Sequence, residues 1–113
     1  MDAGAPDWTI EERGDARVVT PAGRVDETTA TRFTERLIEA ASGGGRIVLD
    51  LGGIPYMSSR GLRALTLAHR AGTAAGTTIV LARPSETMRE ILAISRYDQV
   101  FRVAETVEDA LAG

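Results

Sequence analysis

The pattern of apolar residues changes from strand-like to helical within the first part of the chain. Two short runs, Trp8 to Glu12 and Ala16 to Pro21, flank the turn residues Gly14-Asp15 and predict a β-hairpin. Apolar residues then recur at helical spacing between residues 30 and 41, which predicts an amphipathic helix. We expect Asp26 to cap this helix, because a short carboxylate can accept unpaired amide hydrogens at a helix start.

The middle of the chain contains its most continuous apolar run, Ile47 to Leu51, which predicts a strand covered on both faces. Gly52-Gly53 interrupts this run, and a helical pattern follows from Ser59 to Gly72. The later elements are a strand at 77–82, a helix from 84–86 onward, a short strand at 99–103 and helical turns from 106 to 111. This order predicts an α/β fold with a mixed β-sheet of about five strands and about four helices packed against it.

Composition narrows the classes of function. The 113 residues suit one domain, with a flexible lead-in at residues 1–7 and the folded domain at residues 8–113. The chain has no cysteine, which excludes a thiolate metal site. Its single histidine, His69, leaves no histidine cluster for zinc and no obvious partner for a Ser-His-Asp triad. We expect His69 to pack on the same helical side as Leu62 and Leu65.

Charge and hydropathy argue against nucleic-acid binding and against insertion into a membrane. A net charge of −3 argues against nucleic-acid binding, which needs a basic surface. No apolar run approaches the roughly 20 residues that span a bilayer, and the acidic N-terminus has no signal-peptide pattern. We therefore expect a cytoplasmic, non-enzymatic protein without a metal, a cofactor or an inserted membrane segment.

Asp50 ends the central strand, where the receiver domains of response regulators are phosphorylated on an aspartate. That chemistry also needs a lysine, and all thirteen basic residues of this chain are arginine. We therefore expect Asp50 to be structural and to accept hydrogen bonds from the Gly52-Gly53 turn.

Ser58 and Ser59 precede the central helical pattern and permit three interpretations: a helix cap, a nucleophile or a phosphorylation site. No base is visible for a nucleophile, which disfavours the second interpretation. The unpaired amides and the positive dipole of a helix start favour a phosphate there, and Arg60 and Arg63 add positive charge. Capping and phosphorylation are compatible with each other.

A helical wheel places Leu67 among three arginines, Arg60, Arg63 and Arg70, on the side opposite the predicted core face. An apolar anchor with a charged rim is typical of a partner-binding surface. Isolated exposed leucines are also common, so the wheel alone leaves both interpretations open.

The run DLGGIPYMSSRGLRALTLAHRAG closely resembles the signature of STAS domains, specifically of bacterial anti-sigma-factor antagonists. GRVDETTATRF and VEDAL resemble further segments of that family, so the resemblance extends over nearly the whole chain. It implies a partner-switching regulator that, when unphosphorylated, binds an anti-sigma factor that is also a serine kinase. It further implies that this kinase phosphorylates a serine at the start of the second helix and that a serine phosphatase reverses the step.

Matched residue by residue, Ser59 falls on the phosphoacceptor position of this motif, and Ser58 falls on its Asp/Ser position. Ser59 is therefore the predicted phosphorylation site, and Ser58 is the second candidate. The motif and the helical wheel together give the predicted partner-binding set, which is Ser58, Arg60, Arg63, Leu67 and Arg70. The motif is also compatible with a STAS subunit that regulates a transporter ATPase, or scaffolds a signalling complex, without phosphorylation.

Overall fold

A computed structural model of the chain describes residues 7–112, apart from the side chain of Asp7. Its strands are β1 (Asp7–Arg13), β2 (Ala16–Ala22), β3 (Gly45–Asp50), β4 (Thr77–Ala82) and β5 (Arg102–Ala104). Its helices are α1 (Ala30–Ala41), α2 (Ser59–Ala75), α3 (Glu86–Ile94) and α4 (Val107–Ala112), with a 3-10 turn at Tyr97–Gln99. The predicted lead-in lies outside the described residues except for Asp7, which already belongs to β1.

The five strands form one mixed sheet in the order β1-β2-β3-β4-β5. β1 pairs antiparallel with β2 through the predicted hairpin, whereas β2, β3, β4 and β5 are parallel neighbours. Each parallel connection crosses over through a helix, as alternating strands and helices require. The α/β fold with five strands and four helices is confirmed.

The two faces of the sheet are covered unequally. Helices α1, α2 and α3 pack on the first face, whose core includes Phe33, Leu37, Leu49, Leu65, Leu81 and Met88. The short α4 packs on the second face, over a smaller cluster of Val18, Val48, Val80, Ala104 and Ala110. Because β3 and β4 have a helix on each side, their side chains are apolar on both faces, as the continuous apolar runs predicted.

Two predicted boundaries were wrong. Thr29, and not Asp26, is the N-cap of α1, and its side chain makes no capping hydrogen bond. The Asp26 carboxylate instead accepts hydrogen bonds from the amide and the hydroxyl of Thr28, at 2.9 and 2.7 Å, because residues 27–29 form a turn before the helix. At the other end of the chain, Gln99 belongs to the 3-10 turn, and β5 begins only at Arg102.

His69 lies at the margin of the helical face on which it was predicted to pack. The buried face of α2 consists of Gly61, Ala64, Leu65, Ala68 and Gly72. The His69 ring makes an edge-to-face contact with Phe101, with ring centroids 5.3 Å apart, but the residue as a whole is exposed. Its packing was therefore predicted only in part.

Candidate functional site

The site begins where β3 ends, at a polar cluster that shapes the turn leading to α2. Asp50 Oδ1 accepts hydrogen bonds from the Gly52 amide and from Arg83 Nε, both at 2.9 Å. The hydrogen bond and the charge of Asp50 raise the pKa of Arg83 above its ordinary value. Asp50 is buried, so its position in this network confirms the structural role predicted for it.

Two loops that are far apart in sequence run side by side below α2. The β2–α1 loop bonds to the β3–α2 loop through Val25 N to Tyr56 O, at 3.0 Å, and Ser58 N to Val25 O, at 2.8 Å. A third bond joins Gly23 N to Gly53 O at 2.9 Å. Val25 and Met57 therefore pair as a short parallel bridge. These bonds fix the backbone on which the two candidate serines lie.

The fold places Ser58 and Ser59 in opposite environments. Ser58 is the N-cap of α2, and its carbonyl accepts the first helical hydrogen bond from Leu62 N at 3.0 Å. Its residue exposure is 9%, and its Oγ is buried without a hydrogen-bond partner among the described residues. Ser59 is the first residue of the helix and is exposed. A macromolecule can therefore reach the Ser59 hydroxyl, whereas the Ser58 hydroxyl faces the interior.

Gly61 allows the first turn of α2 to pack closely on the loops below it. A Cβ at this position would lie 2.8 Å from Val25 Cγ1 and closer still to Met57 Cγ. Both neighbours are almost fully buried, so neither has open space into which it can move. The glycine of the predicted motif therefore has a steric function, because any larger residue would push the start of α2 away from the sheet.

An ion pair that sequence reasoning missed lies beside Ser59. Arg60 Nε is 2.8 Å from Glu27 Oε2, and both side chains are mostly exposed. Glu27 belongs to the turn before α1, and no local sequence pattern relates it to the α2 motif. Exposed pairs of this kind contribute little to stability, so the pair mainly fixes where charge is presented around Ser59.

A groove of about 410 Å³ lies between α1 and α2, and Arg60, the residue that follows the exposed Ser59, lines it. Its lining residues are Ala30, Thr31, Thr34 and Glu35 from α1, with Arg60, Arg63, Ala64 and Leu67 from α2. Three residues of the predicted partner-binding set, Arg60, Arg63 and Leu67, are therefore brought together by the fold. Arg70 is exposed further along α2, outside the groove lining. Ser58 is buried and is also not part of the lining.

No helix within residues 7–112 is both long enough and apolar enough to cross a bilayer. Over the same residues, no cluster of three or more histidine, aspartate or glutamate side chains is arranged to hold a metal ion. What the site offers is therefore an exposed hydroxyl at a helix start, two nearby arginines and an adjoining partly apolar groove.

Comparisons with known proteins identify the family to which this chain is related. BtrV of Bordetella bronchiseptica, described as an anti-sigma factor antagonist, is 33% identical over 91 residues, covering 80% of this chain and 78% of BtrV. The anti-sigma-F factor antagonist RsfB of Mycobacterium tuberculosis is 29% identical over 106 residues, covering 93% of this chain and 86% of RsfB. These relatives match this chain over most of their own length.

Solved structures show the same fold. An anti-sigma factor antagonist from Mycobacterium paratuberculosis superposes with a TM-score of 0.80 at 22% identity, covering 95% of this chain and 92% of that one. The phosphorylated form of the Bacillus cell fate determinant SpoIIAA has a TM-score of 0.67 at 22% identity, covering 94% of this chain and 97% of that one. The family model of the STAS domain matches residues 7–110. The chain therefore belongs to the STAS domain family.

Proposed function

We propose that this protein is an anti-sigma factor antagonist that works by partner switching. In its unphosphorylated form it binds an anti-sigma factor that is also a serine kinase, and phosphorylation of Ser59 by that kinase breaks the complex. A serine phosphatase then returns the protein to its binding form. The observation that supports this proposal best is the exposed Ser59 at the first position of α2, beside the groove between α1 and α2.

The start of α2 is a favourable position for a phosphate, which supports the proposal. Ser59 lies where the first amides of α2 have no helical partner and where the helix dipole is positive. A phosphoserine adds a charge of about −1.5 to −2 at neutral pH, which this environment favours. Arg60 can exchange its exposed partner Glu27 for the phosphate. Phosphorylation therefore leaves the domain folded and changes its surface.

The same charge opposes a packed contact at the groove. A partner seated on Arg60, Arg63 and Leu67 comes close to Ser59, because Ser59 directly precedes Arg60 on the same helix. A phosphate enclosed there loses its water and engages Arg60, so that this arginine no longer faces the partner. A charge desolvated in an interface that was formed without it costs on the order of 2–5 kcal/mol. That cost corresponds to a roughly 30- to several-thousand-fold weaker complex.

Phosphorylation is tested by incubating the purified chain with the anti-sigma kinases of its source organism and ATP, followed by mass spectrometry of the intact protein. We expect a single phosphate on wild type and on Ser58→Ala, and none on Ser59→Ala. Ser58→Ala is the matched control, because it removes the adjacent but buried hydroxyl. Equal labelling of Ser59→Ala and wild type would refute the assignment of Ser59.

Binding is tested by calorimetry with the kinase that labels the chain. We expect Ser59→Asp to weaken the complex and Ser59→Ala to preserve it, because only the first adds charge. Ser85→Asp places the same charge at the exposed start of α3 and controls for a general effect of acidity. Two results together would favour the alternative, a STAS subunit that acts without phosphorylation. Ser59 would remain unlabelled, and the partner would bind Ser59→Asp and wild type equally.

A further inference from the structure

The start of α2 lacks the negative charge that the starts of α3 and α4 contain. Glu86 lies in the first turn of α3, and Glu108 and Asp109 lie in the first turn of α4. The positive end of the helix dipole favours carboxylates at such positions. The first turn of α2 has no acidic residue and contains Arg60 instead. A cation at that end of a helix opposes the dipole, so helix stability does not account for this arrangement.

Arg63 lies one turn further along α2 and is an unpaired cation within the described residues. It is exposed, and its side chain makes no hydrogen bond or ion pair with any residue in 7–112. Glu35 lines the same groove, but no ion pair joins it to Arg63. Arg60 differs, because Glu27 Oε2 lies 2.8 Å from its Nε. The chain therefore leaves a positive charge uncompensated near the candidate phosphorylation site, although its net charge is −3.

Helical geometry places Arg63 beside Ser59. Residues that are four apart on a helix are neighbours on one face, about 40° apart around the axis and about 6 Å apart along it. Helical side chains also lean toward the N-terminus, so that of Arg63 leans toward Ser59. Arg60 follows Ser59 directly and lies about 100° away around the axis. Arg63 is thus the arginine of α2 that is best oriented toward Ser59.

We propose that Arg63 binds the phosphate on Ser59 and holds it at the start of α2. This inference rests on the proposed function, because it needs a phosphoserine at position 59. An acidic group four residues before a basic one is the favourable order on a helix, and the planar fork of an arginine matches phosphate oxygens. Arg63 gives up no other partner for this bond, whereas Arg60 exchanges Glu27 for the phosphate.

The bond changes the charge of the groove between α1 and α2, because Arg63 is part of the groove lining. The charged residues of that lining are Arg60, Arg63 and Glu35, so the unphosphorylated groove has an excess of positive charge. A phosphate with a charge of about −1.5 to −2 that engages both arginines reverses this excess. Phosphorylation therefore withdraws both groove cations from a partner at once.

The test uses the full chain with phosphoserine encoded at position 59 during translation, so it requires no kinase. Phosphorus-31 NMR measures the second pKa of this phosphate, which is about 6 in an unperturbed phosphoserine. A neighbouring cation favours the doubly charged form and lowers this pKa. Arg63→Gln should therefore raise the pKa by about 0.3 or more, the shift that corresponds to one exposed i,i+4 ion pair.

Arg70→Gln is the matched control, because it also removes an exposed and unpaired arginine of the described part of α2. Arg70 lies eleven residues from Ser59, about 16 Å along the axis, which exceeds the screening length of about 8 Å in physiological salt. We expect the phosphate pKa in Arg70→Gln to equal that in the unsubstituted phosphoprotein. A pKa that Arg63→Gln leaves unchanged, or that both substitutions raise equally, would overturn the proposal.

The guanidinium of Arg63 provides a second signal. Its Nε resonance, identified by its loss in Arg63→Gln, should shift with the midpoint of the phosphate titration and stay constant in the protein without phosphoserine. A resonance that does not respond to the phosphate would contradict the bond. Failure of these two measurements overturns the role of Arg63 and leaves kinase labelling of Ser59 unaffected. Failure of the kinase to label Ser59 overturns the proposed function, whatever the titration gives.

Discussion

Replacing Ser58 with alanine tests the energetic consequence of a buried hydroxyl that has no hydrogen-bond partner among the described residues. The chain provides its own comparison, because Ser85 occupies the same N-cap position at α3. Ser85 Oγ accepts a hydrogen bond from the Met88 amide at 3.2 Å, whereas Ser58 makes no side-chain capping bond. The two serines therefore occupy the same position in their helices, but we expect their hydroxyls to have opposite effects on the stability of the protein.

The expected magnitudes follow from this difference. A buried polar group without a partner costs about 1–3 kcal/mol, so Ser58→Ala should raise the free energy of unfolding by about 1 kcal/mol. The small void left by the oxygen keeps the gain at the lower end of that range. Ser85→Ala should lower the free energy of unfolding by about 1 kcal/mol, because it removes a working cap. In a domain of this size each kcal/mol corresponds to a shift of about 4 °C in the midpoint of thermal unfolding.

Urea unfolding provides the assay, followed by far-UV circular dichroism and by fluorescence of Trp8, the single tryptophan. Trp8 lies 6.0 Å from Phe33 between ring centroids, so its emission reports on the core beneath α1. Equal slopes against urea concentration would show that both variants unfold from the same compact state. If Ser58→Ala destabilises the protein as much as Ser85→Ala does, the Ser58 hydroxyl has a partner in solution and the reasoning is refuted.

Three further predictions concern the residues that shape the site. Gly61→Ala should lower the free energy of unfolding by about 1–3 kcal/mol, because its Cβ would clash with Met57; a stability equal to wild type in thermal unfolding would contradict this. Asp50→Ala should cost about 1.5–3 kcal/mol at neutral pH in urea unfolding, since two donors lose a charged acceptor; a neutral effect would exclude a structural role. Hydrogen bonds from Thr28 hold the pKa of Asp26 below its ordinary value, and the stability linked to this is present at neutral pH and lost as pH falls through the folded-state pKa. Thr28→Val should therefore raise the pKa of Asp26 in an NMR titration of the carboxyl group, and an unchanged pKa would assign the shift to other causes.

The predictions that failed share a physical cause. Asp26 has the side chain of a helix cap, but three residues of turn separate it from α1, and its carboxylate closes that turn instead. Residues 99–103 are apolar enough for a strand, yet Gln99 belongs to a 3-10 turn that allows the buried Phe101 to reach the core. Short segments of this kind have too few residues for a period to develop, so their conformation follows from the packing around them.

The sequence by itself determined the order of the elements, the α/β class and the position of the serine pair at the start of α2. These features depend on periodicity and on local backbone chemistry, which neighbouring residues specify. Only the tertiary structure separated the buried Ser58 from the exposed Ser59, because that difference arises where the β2–α1 loop bonds to the loop before α2. The tertiary structure alone also showed that Glu27 pairs with Arg60 and that a groove lies between α1 and α2. Such contacts join segments that are distant along the chain, so the local sequence pattern cannot predict them.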